Sequence, residues 1–408
     1  MLRAIRPRTI AWRTRPASAR RGIALLPEAS NAPLAGTDGS GPPWLFLLQI
    51  ALGLPTALWA YKCFMLVLFQ RKIIYLPSVP PGTRSEPVPK TTGDLQIDEI
   101  RLQSSAPSRW TRRPVTLRGI DVEWRGDLES ESLTRQRVVV VYLQGNAGTP
   151  LLRLPLFRAL LRPDRFRKDD FPRISIYAVA PRSFWLSDRS APTQQTVLAD
   201  YEAALAGAVR KYGRSANYVL YGHSLGGAAA LLMLGRQRSV GTSTPPDPAL
   251  SGLILENPLP SIPYMVRALY PQRWLPYHYL GPFAFDRWDA LEATRTASGD
   301  VAKPPSLWIR SARDEIIPHD ATDDGVRRLY ESWNATTWPR VGPGERAGRR
   351  GQARWLDVPD ALHDTAYGSR VWRDEIRSFI AGVVGNSPDD GAGSDHRELR
   401  GSPPVDSV

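Results

Sequence analysis

The sequence predicts an α/β fold with a mostly parallel central sheet, helices on both faces and one transmembrane helix ahead of the sheet. The first observation is a series of short apolar runs, such as residues 137–143 (RVVVVYL), that alternate with segments of helical periodicity from about residue 96 onward. Strands that are apolar throughout are typical of parallel sheets covered by helices. The second observation is the apolar stretch at residues 44–69, which exceeds the roughly 20 residues needed to span a bilayer.

The composition is that of an ordinary globular protein. Of the 408 residues, 42% are hydrophobic and 23% are charged, which excludes a collagen, a coiled coil and a chain disordered throughout. Cys63 is the only cysteine, so the chain forms neither an intramolecular disulfide nor a cysteine zinc site. The net charge of +13 is concentrated in residues 1–78 (+8) and 335–354 (+4). A nucleic-acid-binding protein is expected to carry its basic face on the folded body, so we expect no nucleic-acid partner.

Residues 1–43 form a basic segment followed by a linker. The first 26 residues contain seven arginines and no acidic residue, and residues 27–43 are rich in Gly, Ser and Pro. Such a start fits a mitochondrial transit peptide or, alternatively, a basic flank that orients the span behind it. Both interpretations stay open. The location therefore also stays open between a mitochondrial membrane and an endomembrane such as the endoplasmic reticulum, and the endomembrane is favoured.

Residues 44–69 are predicted to form a retained single-pass anchor. A cleaved signal peptide is the alternative, but signal cores are shorter and lie closer to the N-terminus. Lys62 lies near the end of the stretch, where its side chain can reach the membrane interface. Cys63 is either a palmitoylation site or a plain membrane-buried cysteine. Basic residues flank both ends of the stretch, so its orientation stays open.

Residues 96–385 are predicted to form the folded domain, after a Pro-rich connector at residues 79–95. The first two strands alternate polar and apolar residues, which favours antiparallel pairing at an edge. The predicted strands are residues 97–103, 115–124, 137–143, 174–180, 217–222, 253–257, 306–310 and 354–358. The predicted helices are residues 150–162, 193–212, 225–237, 322–333 and 370–384.

An insert at residues 258–300 interrupts this alternation and is predicted to cover the sheet edge. Seven aromatic residues of the insert suit either a lipid-like acyl chain or packing beneath the insert. They are Tyr264, Tyr270, Trp274, Tyr277, Tyr279, Phe283 and Phe285. Residues 335–354 form a basic loop. Residues 386–408 lack an apolar pattern, which predicts a disordered tail.

The segment from Gly222 to Gly226 (GHSLG) matches the G-x-S-x-G pattern of a nucleophile elbow. It lies between a predicted strand and a predicted helix, which is the context that an elbow requires. The turn strains the backbone of Ser224, so the neighbouring positions must be small, and Gly222, Gly226 and Gly227 meet that need. An ordinary glycine-rich strand-to-helix turn is the alternative.

A serine nucleophile needs a base and an orienting carboxylate. His363 lies just beyond the last predicted strand, where open α/β sheets keep their sites. Asp314 follows the strand at 306–310, which gives the order Ser, Asp, His. Glu256 competes for the role of the acid. The other candidates lie in less suitable places: His223 in the elbow, His278 in the insert, His396 in the tail, His319 close behind Asp314, and Asp364 next to His363.

Acyl transfer also needs donors for the oxyanion of the tetrahedral intermediate. The backbone N–H of Leu225 follows the nucleophile and is the first expected donor. The second is expected in the loop after an early strand, where Gln144 to Gly148 (QGNAG) follow residues 137–143. Gly145 and Gly148 let the backbone approach a substrate, and the N–H of Asn146 is the expected donor.

Together these residues resemble the α/β-hydrolase superfamily, and most of all the membrane-anchored bem-type (bud-emergence) hydrolases and their animal relatives. The resemblance covers roughly residues 64–385 and rests on FQRKIIYLPSVPPGTR, YLQGNAGTP, GHSLGG, LILENPLPSI, SARDEIIP and the segment from His363 to Thr365. It implies a triad of Ser224, Asp314 and His363 with Asn146 and Leu225 as oxyanion donors. The resemblance implies acyl esters or thioesters of lipids or acylated proteins as substrates. It implies neither a metal nor another cofactor.

The chain departs from this family at three places. Gln144 stands where the family has His, one residue is missing from the His-Asn-Asp of the base loop, and APRSFWLSDRSAP lacks the glycines of Tyr-Arg-Gly-Tyr-Gly. These changes concern a supporting loop and the shape of the pocket rather than the triad. The Arg-rich loop at residues 340–354 also resembles an added insertion.

We therefore expect a membrane-anchored serine hydrolase. Its expected partners are a lipid or acylated-protein substrate and the membrane contacted through residues 44–69, and its oligomeric state is open. A catalytically silent membrane scaffold on the same fold and a serine peptidase are the alternatives.

Overall fold

The computed structural model describes residues 43–89, 91–107, 112–126, 136–163, 171–239, 250–296, 303–317, 324–336 and 352–384. The predicted basic start, most of the basic loop and the predicted tail lie outside the described residues. The chain divides into two units, Met1–Ala57 and Leu58–Val408. The predicted boundaries of the domains stay a prediction.

One sheet runs through the second unit. Its strands are β1 (Thr91–Thr92), β2 (Leu95–Gln103), β3 (Thr116–Trp124), β4 (Arg137–Leu143), β5 (Arg173–Ala180), β6 (Asn217–His223), β7 (Gly252–Glu256), β8 (Ser306–Ser311) and β9 (Ala353–Val358). Their order across the sheet is β1-β2-β3-β5-β4-β6-β7-β8-β9. The six neighbouring strands β5, β4, β6, β7, β8 and β9 pair in parallel. The strands β1, β2 and β3 pair antiparallel with one another, and β3 joins β5 antiparallel. The mostly parallel sheet with an antiparallel edge is confirmed.

Burial explains why the central strands read as continuous apolar runs. Every residue of β6 and β7 is buried, and so is every residue of β4 except Arg137. Helices cover both faces of such strands, so no position along them meets water. By contrast, β2 alternates between buried and exposed residues, as its polar and apolar alternation predicts.

The helices connect these strands and flank them. They are α1 (Pro43–Leu68), α2 (Gln70–Ile74), α3 (Leu154–Leu161), α4 (Gln194–Tyr212), α5 (Leu225–Ser239), α6 (Ile262–Leu269), α7 (Ala290–Thr296), α8 (Gly325–Ala335) and α9 (Arg370–Val384). Side chains cap several of them. Thr193 and Thr196 form a reciprocal capping box ahead of α4, and the Ser261 hydroxyl accepts from the backbone N–H of Tyr264 at the start of α6. These caps satisfy N–H groups that have no partner within the helix.

Helix α1 contains the candidate anchor. Residues Trp44–Leu68 are long and apolar enough to cross a membrane, which is consistent with the predicted single pass. In the second unit, the end of this helix contacts the insert: Lys62 Nζ lies 4.3 Å from the centre of the Tyr277 ring, and the Trp59 and Trp274 rings lie 6.1 Å apart. The Lys62 ammonium therefore has an aromatic neighbour within the protein, which sequence alone did not indicate.

Candidate active site

Ser224 lies in the sharp turn between β6 and α5. Its φ of +53° falls in the left-handed region, which residues with a side chain rarely adopt. Three backbone hydrogen bonds hold the turn: its N–H donates to Glu256 O at 3.0 Å, and its carbonyl accepts from the N–H groups of Gly227 at 2.9 Å and Leu259 at 3.0 Å. Strained backbone persists where the surroundings over-determine it, and that is the arrangement a nucleophile elbow requires.

The glycines around Ser224 permit close approach of backbone to backbone. A Cβ on Gly222 would lie 2.5 Å from Gly226 O, and one on Gly226 would lie 2.0 Å from Leu143 O. A Cβ on Gly227 would lie 2.7 Å from the Pro258 Cβ. Larger residues therefore do not fit at these positions, which is consistent with a nucleophile elbow.

The loops after β8 and β9 bring Asp314 and His363 together. His363 Nδ1 lies 2.7 Å from Asp314 Oδ2, and both side chains are only 3% exposed. The other oxygen of Asp314 accepts from the backbone N–H groups of Ile316 and Ile317, each at 2.8 Å. Because the carboxylate is held on both oxygens, it fixes the orientation of the imidazole and leaves Nε2 as the atom for proton transfer.

His363 lies close to the elbow through its contact with His223. The centres of the two imidazole rings are 4.9 Å apart, and His223 directly precedes Ser224. Within the described residues, no hydrogen bond joins the Ser224 hydroxyl to His363. Nucleophile–base hydrogen bonds often tighten only when a substrate is bound, so the arrangement is compatible with a triad.

Glu256, the competitor for the role of the acid, is paired elsewhere. It is fully buried and accepts from the hydroxyl of Tyr221 and, at 2.9 Å, from Trp372 Nε1. Burial raises the pKa of its carboxyl above the ordinary value, while these hydrogen bonds lower it less strongly. Asp314 therefore occupies the position expected of the orienting carboxylate, and Glu256 does not.

Two of the remaining histidines, His278 and His223, lie within the described residues and have other surroundings. His278 Nδ1 lies 2.7 Å from the carbonyl oxygen of Tyr270 in the insert. His319 and His396 lie outside the described residues. His223 is buried, and its pKa is lowered first by burial and then by the charge of Arg153, which favours a neutral imidazole.

Three side chains hold the backbone of His363. Its N–H donates to Glu315 Oε2 at 2.9 Å. Its carbonyl accepts from Asn257 Nδ2 at 2.9 Å and lies 3.0 Å from His223 Nε2. Asn257 is in turn fixed by Ser311, whose N–H donates to its Oδ1 at 2.8 Å. The loop that carries the base is therefore held from three different elements.

Arg153 and Asp364 form a second support for the same loop. The Arg153 guanidinium donates to Asp364 Oδ1 and lies 3.4 Å from His223 Nδ1. Partial burial raises the pKa of the Asp364 carboxyl, but the charge and hydrogen bond of Arg153 oppose that effect, and the pKa lies below its ordinary value. One ligand atom each of His223, His363 and Asp364 lies within 4.8 Å of the others, a spacing that could hold a cation. Asp314 already contacts the His363 side chain, and Arg153 already contacts that of Asp364. We therefore interpret the cluster as support for the loop that carries His363.

Asn146 and Leu225 line the same cavity as Ser224. Leu225 is the first residue of α5, so its N–H has no acceptor within the helix. Gly145 lies so close to the elbow that a Cβ there would be 3.5 Å from the Ser224 Cβ. Gly148 has a φ of +83°, which suits glycine. The structure thus brings the two residues expected to supply the donors to the cavity that Ser224 lines.

The segment that follows α2 is paired with this loop. The N–H of Leu76 donates to Asn146 O at 2.8 Å, and the N–H of Gly148 donates to Val79 O at 2.8 Å. Leu76 and Ala147 form an isolated parallel bridge. The chain just after the candidate span therefore holds the loop that carries Asn146.

A cavity of about 430 Å³ opens beside Ser224. Its volume falls within the range of small-molecule sites, roughly 300–1,000 Å³. Most of its lining is apolar and comes from the end of α1, from α2, from α6 and from the segment after Asp314.

The comparison of sequences finds one informative relative. No protein-family model matches the chain. The Alpha/beta hydrolase domain-containing protein WAV2 of Arabidopsis thaliana is 26% identical over 331 residues, which cover 77% of this chain and 88% of that protein.

The comparison with solved structures likewise finds α/β-hydrolases. A crystal structure of an α/β-hydrolase from Vibrio vulnificus superposes with a TM-score of 0.50 at 14% identity, over 77% of this chain and 92% of the other. The chain has the α/β-hydrolase fold. An esterase from Pyrococcus furiosus is 15% identical, with a TM-score of 0.41 over 71% of this chain and 90% of the other. The resemblance to the α/β-hydrolase superfamily is confirmed, and the bem-type relationship stays a prediction.

Within this hydrolase fold, Gln144 is buried at the start of the loop that carries Asn146. Its backbone carbonyl accepts from the Tyr201 hydroxyl at 2.9 Å. Neither polar atom of its side chain has a hydrogen-bond partner among the described residues. Gln144 thus contributes to the loop through its backbone, as expected of a supporting residue.

Sequence reasoning missed the residues of this hydrolase fold that support the base. Asn257 lay within the quoted stretch LILENPLPSI, and its φ of +44° marks it as strained, but no role was inferred for it. Arg153 and Glu315 carried no local signal, because their partners lie in distant parts of the chain.

Proposed function

We propose that the chain is a serine hydrolase that cleaves acyl ester or thioester bonds of lipids or acylated proteins. The observation that carries the proposal is the buried pair of His363 and Asp314 next to the strained elbow of Ser224. The α/β-hydrolase fold and the hydrolase-domain relative support a hydrolase in general.

The mechanism follows from the roles of these groups. His363 Nε2 takes the hydroxyl proton as Ser224 Oγ forms a bond with the acyl carbon, and Asp314 holds the imidazole and stabilises its charged form. The N–H groups of Asn146 and Leu225 donate to the oxyanion. The carbon–oxygen or carbon–sulfur bond then breaks, and the leaving group receives the proton from His363. Water, activated by His363, adds to the acyl carbon, and Ser224 leaves with the proton.

The membrane part of the proposal rests on α1. A single-pass anchor at Trp44–Leu68 would keep the site at a membrane surface, where lipids and acylated proteins are found. The apolar lining of the cavity supports the acyl character of the substrate. We propose an endomembrane location, and protease protection of tagged termini in isolated membranes would test both the anchor and its orientation.

A fluorophosphonate probe tests the nucleophile directly. Membranes that contain the wild type, Ser224→Ala or His363→Ala are treated with the probe, and labelling is compared at equal amounts of inserted protein. We expect a labelled band for the wild type, none for Ser224→Ala and a strongly reduced band for His363→Ala. An unlabelled wild type would contradict the proposal and favour a catalytically silent scaffold. Turnover of matched acyl-ester and peptide substrates separates the esterase from the peptidase.

A further inference from the structure

The cavity beside Ser224 has one wall that is formed by the chain around the end of the candidate span. Leu66 and Val67 of α1 and Ile73 of α2 line it, together with Met265 and Val266 of α6. All of these residues belong to the second unit. The same cavity reaches Ser224 and Asn146, so whatever fills it is continuous with the reacting carbonyl.

Polar contacts fix this wall against the insert. Gln70 Nε2 donates to Phe283 O at 3.1 Å, and Gln70 Oε1 accepts from the N–H of Phe285 at 2.7 Å. The Arg71 guanidinium pairs with the buried Asp286 carboxylate at 2.9 Å. Tyr75 also donates to Asp286, at 3.1 Å. These contacts, which join the residues after α1 to the insert, make the wall a part of the folded unit.

The chemistry of the lining selects its occupant. Apart from Asn146 and Ser224, the polar lining residues are Gln70, Tyr270 and Glu315. The Gln70 amide and the Glu315 carboxylate already bind backbone groups, so the rest of the cavity offers a polar or peptide chain few partners. Buried polar groups without partners are costly, whereas an alkyl chain needs none. At the mouth, Ile73, Leu269 and Phe283 are 53%, 63% and 59% exposed. Exposed apolar side chains grouped beside a cavity mark a binding surface, and here they lie next to the end of the candidate span.

We propose that this cavity binds the long acyl chain of a membrane ester or thioester, and that residues 66–74 around the end of the candidate span form one wall of this acyl-binding site. The inference rests on the proposed serine hydrolase, because the chain must end at the carbonyl that Ser224 attacks. The chain-length preference of the enzyme is then a property of the anchor segment as well as of the hydrolase domain.

The experiment measures chain-length preference in the full-length protein in mixed micelles. The p-nitrophenyl esters of butanoic, octanoic and hexadecanoic acid are compared, and the readout is the ratio of kcat/KM for hexadecanoyl to that for butanoyl. Val67→Trp and Val266→Trp fill the cavity from two different helices, α1 and α6. Leu68→Trp and Arg267→Trp are the matched controls, because each changes the next residue of the same helix, which is exposed and does not line the cavity.

We expect the wild type to prefer the long chain. Both cavity variants should lower the ratio by about tenfold or more, because each methylene group that no longer fits into the cavity lowers the selectivity for the longer ester. The control variants keep the wild-type ratio. A ratio compares two substrates of one preparation, so partial misfolding does not change it. A wild type without long-chain preference, or cavity variants with an unchanged ratio, would overturn the acyl site while ester turnover still stood. Absence of turnover for every ester would instead contradict the serine hydrolase itself.

Discussion

The backbone N–H of Leu76 donates to the carbonyl oxygen of Asn146 at 2.8 Å, and this hydrogen bond ties the segment after the candidate span to the oxyanion loop. The peptide plane that follows Asn146 is thereby fixed. Gly148 adds a second tie through its N–H to Val79 O. An oxyanion donor is effective only when it is held in place before the reaction. If Asn146 is such a donor, as proposed, the segment after the candidate span would affect turnover by positioning its loop.

Removing the Leu76 donor is expected to slow turnover. Leu76→Pro lacks the N–H, and we expect kcat for a butanoyl ester to fall by about tenfold to a hundredfold, because small misplacements of catalytic groups cost that much. Leu76→Ala keeps the N–H and serves as the matched control. Equal kcat values for the two variants would show that the tie does not position the loop.

Replacing the orienting carboxylate tests the assignment of the acid. In Asp314→Asn the side chain keeps its size but no longer favours the tautomer with hydrogen on His363 Nδ1, and we expect kcat to fall by about 10⁴-fold. Glu256→Gln removes the competitor's charge, and we expect it to change kcat far less. Steady-state ester hydrolysis measures both. A larger loss in Glu256→Gln than in Asp314→Asn would reverse the assignment.

Asp364 is expected to act as a positioning residue for the base loop. Asp364→Ala leaves Arg153 without its carboxylate and loosens the backbone of His363, so we expect kcat to fall by about tenfold with little change in KM. The acid limb of the pH profile of kcat/KM moves to lower pH, because a negative charge near the base is lost. Asp374→Asn, an exposed carboxylate on α9, is the control. A drop in kcat without a moved profile would indicate a purely structural role.

The glycines of α5 give a matched pair for stability. Gly226→Ala would place its Cβ 2.0 Å from Leu143 O, and we expect it to destabilise the protein by about 3 kcal/mol or more, because a backbone atom must move. A Cβ on Gly235 would lie 4.0 Å from its nearest neighbour, the Cβ of Ala293. Gly235→Ala is therefore expected to stabilise the helix by up to about 1 kcal/mol. Thermal unfolding followed by circular dichroism measures both. Similar melting temperatures for the two variants would contradict the close approach at the elbow.

Burial of Glu256 predicts a pH-dependent stability. The folded pKa of its carboxyl is raised above the ordinary 4.5, so the folded protein holds a proton that the unfolded chain has already lost. Its contribution to stability is therefore complete below pH 4.5 and is lost as the pH rises to the folded pKa. Glu256→Gln does not titrate, so its free energy of unfolding relative to the wild type should rise across this range, by at most about 1.4 kcal/mol per pH unit. If the difference in the free energy of unfolding between Glu256→Gln and the wild type stays constant with pH, the pKa of Glu256 is the same in the folded and unfolded states.

The part of the site that could be predicted lies in local patterns. The elbow around Ser224 was recognisable because a strand, two glycines and a helix follow one another within a few residues. Asp314 and His363 were recognisable because side chains that follow parallel strands reach the same edge of the sheet. Their contact at 2.7 Å agrees with that reasoning.

The part that could not be predicted consists of contacts between distant segments. Asp364 was set aside as too close to the base, yet it pairs with Arg153, which lies 211 positions away. Neither residue belongs to a motif, and no periodicity brings them together. Helix α2 was also missed, because five residues are too few for a periodic pattern.

By itself, the sequence determined the α/β class, the apolar stretch of the candidate span, and the order of the candidate serine, acid and base, since each depends on patterns of neighbouring residues. Only the tertiary structure decided which groups hold the base loop, how the segment after the span pairs with the oxyanion loop, and which residues enclose the cavity. The contact of Arg71 with Asp286 joins residues 215 positions apart. Such contacts arise when the sheet and its insert fold together, and the packing that selects them leaves no local pattern in either segment.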